Sequence, residues 1–201
     1  MTTNPFIDIW LNTRLTTREI IDNNYKRLMN ILFCISGVVW LFSWMTRRPE
    51  NGDKFDLLPL VLTLVSVGLV LGLMLSRLIA ISIFLTGKLV DGKSNYKEIL
   101  RTTAYANVPS IGLLIMLILK LSLFGKEPIS SSRPEMMDNL LIVSFIAIIE
   151  GIIGIWTIVI YVKVISETQK LATGMSIINL LLAFTIVGLF NYFVVFKFLE
   201  S

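Results

Sequence analysis

The chain has 201 residues, 55% hydrophobic and only 16% charged, with a net charge of +4 and a mean hydropathy of +0.78. A soluble domain carries about 25% charged residues, so no polar skin could cover this much apolar surface, and an ordinary cytosolic enzyme or a disordered chain is excluded. Histidine is absent and Cys34 is the one cysteine, which removes His/Cys metal clusters, disulfide frameworks and Ser–His or Cys–His catalytic pairs. The basic excess reads as loops facing anionic lipid, and no nucleic-acid motif is visible.

Residues 1–27 are too few for a soluble domain. Phe6, Ile7, Trp10 and Leu11 recur on one side of a helix that Asn4-Pro5 can start. Thr16 and Glu19 form a capping-box pattern that predicts the start of a second short helix. The region reads as an amphipathic interfacial segment, with Trp10 at headgroup depth and Arg14 and Arg18 facing phosphates.

Five segments approach the ~20 apolar residues needed to cross the hydrocarbon core: 28–45, 57–85, 108–124, 139–161 and 175–198. The first starts late and is followed by Arg47-Arg48 rather than a small-x-small site, so it is expected to be retained and not cleaved as a signal peptide. Trp40, Trp44 and Tyr192 suit an outer aromatic belt. In the second segment Gly68, Gly72, Ser76 and Ala80 repeat every four residues, a seam for close approach of another helix of this chain or of a second copy. Arg77, near the end of that segment, reads as snorkelling to phosphate, with a buried pair to Glu150 as the alternative.

The 87–95 loop is rich in glycine and charge. Asn95 and Glu98 signal a helix over 96–107 that enters the membrane, and Pro109 predicts a break before the third span. Tyr105, Asn107 and Pro109 there give either a polar notch or a kinked helix start. Lys120 and Lys163, near span ends, are expected to snorkel. Glu150 lies midway between Asn139 and Tyr161, where a charge costs at least about 2.5 kcal/mol. It is read either as a proton- or cation-sensitive site, or as a protonated acid hydrogen-bonded to Asn107, Asn179 or Asn191. Residues 166–174 are expected to continue the fourth helix to a turn at Gly174. No linker separates domains and no repeat is visible.

Five spans put the termini on opposite sides. Eleven of the eighteen Lys and Arg fall on the N-terminal side, which favours a cytoplasmic N-terminus and an outer C-terminus. Arg47-Arg48 oppose this bias.

Phe6-Ile7-Asp8-Ile9-Trp10, followed by Arg14-Leu15-Thr16-Thr17-Arg18-Glu19-Ile20-Ile21-Asp22, resembles the start of bacterial Yip1-family membrane proteins, with Thr13 where those often have proline. The likeness continues through Gly87-Lys88, Gly92 and Ser94, Tyr105-Ala106-Asn107-Val108-Pro109, Ile155-Trp156 and Ser176. It implies five spans, a cytoplasmic N-terminus and a C-terminus on the far side. Eukaryotic relatives act in vesicle traffic and bind Rab GTPases through a long N-terminal region. This chain lacks that region, so Rab binding is not carried over. The family pattern contains no catalytic residues, cofactor or metal.

The resulting expectation is an all-α protein of the bacterial cytoplasmic membrane, with an interfacial segment over 1–27 and a five-span domain over 28–201. Its expected role is that of a non-enzymatic membrane adaptor in membrane organisation or trafficking, self-associating or accessory to a larger membrane complex. The alternative is a small proton- or cation-sensitive transporter or channel using Glu150.

Overall fold

The computed structural model describes residues 4–48, 53 and 56–193. Every regular element among them is helical. The helices are α1 (Pro5–Leu11), α2 (Thr13–Asp22), α3 (Met29–Thr46), α4 (Leu57–Leu89), α5 (Tyr96–Ala106), α6 (Pro109–Phe124), α7 (Pro134–Asp138), α8 (Leu140–Gln169) and α9 (Thr173–Asn191), with a 3₁₀ turn at Glu127–Ile129. Five segments are long and apolar enough to cross a membrane: Met29–Thr46, Leu57–Leu89, Tyr96–Phe124, Leu140–Gln169 and Thr173–Asn191. They are the five expected from sequence. Residues 194–198 of the last expected span lie outside the described residues, as do Lys54 and Lys197 of the charge comparison.

The chain forms two compact units. One is built from described residues 4–29, 75–106 and 158–193, the other from 30–48, 53, 56–74 and 107–157. The first contains α1, α2, α5, α9 and the C-terminal parts of α4 and α8. All eleven cations expected on the N-terminal side belong to it.

In this first unit α1 starts as predicted, with the Asn4 side chain accepting from the Phe6 N–H at 3.1 Å and Pro5 in the first turn. The expected start of α2 is corrected. The helix begins at Thr13, and Thr16 lies inside it, its hydroxyl donating to the Asn12 carbonyl at 3.1 Å. A threonine back-bonded within the helix has no oxygen turned toward a helix start, so the Thr16–Glu19 pattern does not cap. Thr13, Thr16, Thr17 and Ile20 make the buried face of α2. The box at Asn95 does form: Glu98 N–H donates to Asn95 Oδ1 at 3.0 Å and Asn95 Nδ2 to Glu98 Oε1 at 2.7 Å.

Three helix ends in this unit close alike. Asn24, Asp91 and Lys170 take left-handed backbone (φ 52°, 62° and 56°). The next N–H then bonds back to the carbonyl five residues earlier: Tyr25 to Ile20, Gly92 to Gly87 and Leu171 to Ser166, at 2.8–3.0 Å. The turn after α8 is therefore at Lys170, not at Gly174, which lies in the first turn of α9. None of the three left-handed residues is glycine, the residue that ordinarily marks this position.

In the second unit Val38, Leu41, Phe42, Met45, Leu60, Leu64, Leu117 and Ile129 form the apolar core. At the loop end, Asp53 accepts from the Ser130 hydroxyl and from Ser131 N–H at 3.2 Å. These hydrogen bonds hold its carboxyl below the ordinary carboxylate range. A depressed carboxyl contributes fully above the unfolded value of about 3.9 and loses its contribution as pH falls through the lower folded value.

The seam on α4 is used inside the chain. Gly37 of α3 lies so close to Gly68 and Gly72 that a Cβ on it would overlap the Gly68 carbonyl and the Gly72 backbone. A Cβ on Gly72 would overlap the Phe33 carbonyl. Lipid is as apolar as leucine, so helices there associate through such close packing and not through hydrophobic burial. Ser76 and Ala80 continue the buried face into the first unit. We expect Gly37→Ala or Gly72→Ala to lower the thermal midpoint in mild detergent by several degrees, the effect of an overpacking cost of about 1–3 kcal/mol. An unchanged midpoint for both would remove this contact as a determinant of the fold.

Candidate functional site

The polar groups of the first unit gather around the end of α8. Gln169, its last residue, is 1% exposed. Its Nε2 donates to the Ile83 carbonyl of α4 at 3.1 Å, and its Oε1 accepts from Asn179 Nδ2 of α9 at 3.1 Å. Asn179 Oδ1 accepts from the Thr86 hydroxyl at 2.9 Å. The Gln169 carbonyl takes the Lys93 N–H at 3.1 Å. One glutamine thus ties together α4, the 90–95 loop and α9. The amide orientations follow from this network, since only one assignment gives each donor an acceptor.

Gly87 and Gly92 make room for that amide. A Cβ on either would overlap Gln169 Oε1. The motif glycines of the 87–95 loop therefore answer to a residue about eighty positions away. A Gln side chain can ordinarily swing aside, but this one is held by both of its amide atoms. We expect Gly87→Ala, Gly92→Ala and Gln169→Leu each to destabilise by about 1–3 kcal/mol, the cost of stranding buried hydrogen-bonding groups. The check is thermal unfolding of purified protein, and wild-type midpoints for all three would sink the assignment.

Beside this relay, α1 and α2 dock on the rest of the first unit. The Tyr105 hydroxyl donates to the Arg27 carbonyl, and its ring packs against Tyr25 and Phe6 with centroids 5.6 and 5.9 Å apart. Arg101 donates to Asn24 Oδ1. Thr168 donates to Thr102 at 3.0 Å. Tyr105 is thus an anchor for the N-terminal segment, one residue before the end of α5. The break at Pro109 is present: α5 ends at Ala106 and α6 starts at Pro109. The intervening turn is closed by Ser110 N–H to the Asn107 carbonyl at 2.9 Å. Asn107 and Pro109 are buried.

The expected roles of Arg14 and Arg18 change. Arg18 Nε donates to Glu167 at 2.5 Å, and Arg14 Nη2 to the Thr173 hydroxyl at 3.2 Å. Both therefore bridge α2 to the α8–α9 region of the same unit. The Glu167 hydrogen bond and charge push the Arg18 guanidinium above its ordinary value. A pair this exposed fixes geometry more than it stabilises. Trp10 is half-buried.

Around these bridges opens a cleft of about 770 Å³, lined by Arg14, Arg18, Ile21, Asp22, Lys93, Glu98, Ser166, Glu167, Thr168, Lys170 and Leu171. No group of three or more metal-ligating side chains occurs among the described residues.

In the second unit Glu150 of α8 accepts from Lys120 Nζ of α6 at 2.6 Å, with side chains 27% and 16% exposed. Lys120 therefore pairs instead of snorkelling, and the partner of Glu150 is not one of the three asparagines. A lysine one helical turn from the end of α6 is long enough to reach inward to a carboxylate that would otherwise stand alone in hydrocarbon. Asn179 belongs to the relay, and Asn191 is the half-buried last residue of α9. Arg77 is exposed, one residue after buried Ser76. We expect Glu150→Gln to destabilise by roughly 2–3 kcal/mol through the stranded Lys120 charge. The double variant Lys120→Met/Glu150→Leu should recover most of the loss. Thermal midpoints in lipid nanodiscs test this, and a neutral Glu150→Gln would remove the pair from the stability argument.

Sequence reading missed Gln169, Glu167, Gly37 and the partnership of Lys120. Gln169 carried a faint signal as the last of a polar run at the end of an apolar helix. Gly37 was one more glycine in an apolar span, legible only beside Gly68 and Gly72.

Five apolar membrane-length helices with their buried polar groups paired to one another define a multi-pass helical membrane protein. A family model described as the Yip1 domain matches residues 7–195. The chain belongs to the Yip1 family. No curated protein and no solved structure matches it.

Proposed function

We propose that this Yip1-family chain is a non-enzymatic membrane adaptor that associates with copies of itself or with another membrane subunit through α8. One observation carries the reading. Across the most apolar 18-residue stretch of α8 only 6% of the residues are buried within the chain, against 22–39% for the corresponding stretches of the other four. Phe145, Ile148, Ile152 and Ile155 form one exposed stripe at helical spacing, and Gly151 beside them has nothing within 4 Å of a built Cβ. A stretch of helix left this bare, with a small residue in its open stripe, suits contact with another transmembrane helix. The Gly68–Gly72 seam does not serve this purpose, since α3 fills it. The cations of the first unit support a cytoplasmic side for α1 and α2, in keeping with a bacterial inner-membrane orientation.

The transport alternative rests on Glu150. Its carboxylate is engaged by Lys120, an arrangement that supports cohesion of α6 and α8 over ion passage.

Gly151→Leu separates the readings, because the added side chain meets open space and leucine is the better helix former. After gentle extraction, intact-particle mass should exceed one chain for wild type and fall to one chain for Gly151→Leu, with an unchanged thermal midpoint. A wild-type monomer, or a variant that keeps its partners, would overturn association through α8. Proton flux in vesicles that Glu150→Gln abolishes would favour the transporter.

A further inference from the structure

The cleft at the end of α8 has no part in the α8 association surface, and its failure would leave the adaptor reading untouched. Four cations line it. Arg18 is neutralised by Glu167. Arg14, Lys93 and Lys170 form no ion pair among the described residues. The cleft is also lined by the carboxylates of Asp22 and Glu98, the latter held by Asn95. Three cations outside any ion pair, Arg14 with its hydrogen bond to Thr173, favour an anion in this cleft of about 770 Å³, and the volume suits a small ligand. Guanidinium and ammonium groups together are the side chains that bind phosphate. The two carboxylates would repel a second anionic group but accept hydrogen bonds from hydroxyls. The depth also fits. α8 has 30 residues and so is about 45 Å long. That exceeds the ~30 Å hydrocarbon core, which leaves its final turns, with Ser166 to Thr168 on the cleft wall, at headgroup level.

We propose that this cleft binds a phosphate group, and that in the membrane the phosphate belongs to an anionic, hydroxyl-bearing phospholipid headgroup of the phosphatidylglycerol type. Arg14, Lys93 and Lys170 take the phosphate, and Asp22 and Glu98 accept from the headgroup hydroxyls. A choline headgroup fits less well because it carries no hydroxyl and no net negative charge.

The test uses the purified full chain in mild detergent at fixed ionic strength, titrated separately with short-chain phosphatidylglycerol, short-chain phosphatidylcholine and inorganic phosphate. Phosphatidylglycerol is expected to raise the thermal midpoint by about 2–4 °C, and phosphatidylcholine to leave it unchanged. The variant Lys93→Gln/Lys170→Asn removes two cleft cations. Asparagine tolerates the left-handed backbone at 170, so the turn should survive. This variant should lose the rise. Lys26→Gln/Lys97→Gln removes the same charge outside the cleft and should keep it. Should the double variant unfold by itself, Lys93→Gln alone takes its place. A rise retained in the cleft variant, or an equal rise with phosphatidylcholine, overturns the site. An equal rise with inorganic phosphate that the cleft variant loses upholds phosphate binding and overturns its assignment to lipid.

Discussion

Hydrocarbon offers no water to take up an unused hydrogen bond, and this chain is arranged around that constraint. Every polar side chain buried between helices has to find its partner within the protein. Gln169 meets this demand with Ile83 and Asn179, Asn179 with Thr86, and Glu150 with Lys120. Thr17 of α2 and Thr103 of α5 satisfy their hydroxyls on their own helix, at the carbonyl one turn back, and Thr13 does so at the Ile9 carbonyl of α1. That leaves a small, apolar outer surface for close packing. The two solutions divide the work. Back-bonded threonines let short helices lie near one another, and cross-helix amides and ions determine which helices those are.

The same constraint explains the glycines. Without a hydrophobic drive between helices, contact area and backbone proximity supply the attraction. Gly37, Gly68 and Gly72 bring α3 and α4 into backbone contact, while Gly87 and Gly92 open space for a single amide. One set admits a helix and the other a side chain. Both are intolerant of one added methyl, whereas Gly151, Gly154 and Gly188 face open space.

Much of the architecture was legible because hydropathy and length act locally. All five spans, the break at Pro109 and the Asn95–Glu98 cap follow from neighbours in sequence. What failed was long-range or conformationally atypical. The α8–α9 turn was expected at Gly174 because glycine is the usual left-handed residue, yet Lys170 adopts that backbone. Arg14 and Arg18 were read against lipid because their partners, Thr173 and Glu167, lie some 150 residues away. Glu150 was read as a proton- or cation-sensitive site or as an acid bonded to an asparagine, because the choice of Lys120 depends on how α6 and α8 face each other, which no local pattern encodes. The family motif was visible at Gly87 and Gly92, but its reason was not, since Gln169 stood outside the motif.

The first unit joins three stretches of the described chain, 4–29, 75–106 and 158–193. Arg18 and Glu167 are separated by 149 positions. At about 5–20 residues per second of synthesis, roughly 7–30 s pass between the appearance of one and the other. Through that interval α1 and α2 exist without α8 or α9 to dock on, and the amide pocket between Gly87 and Gly92 has no glutamine to fill it. Meanwhile α2 has α1 and α5 to pack on, but not the Glu167 and Thr173 that its two arginines reach. The closing of this unit is thus an event of late biogenesis, timed by the emergence of the last two membrane helices.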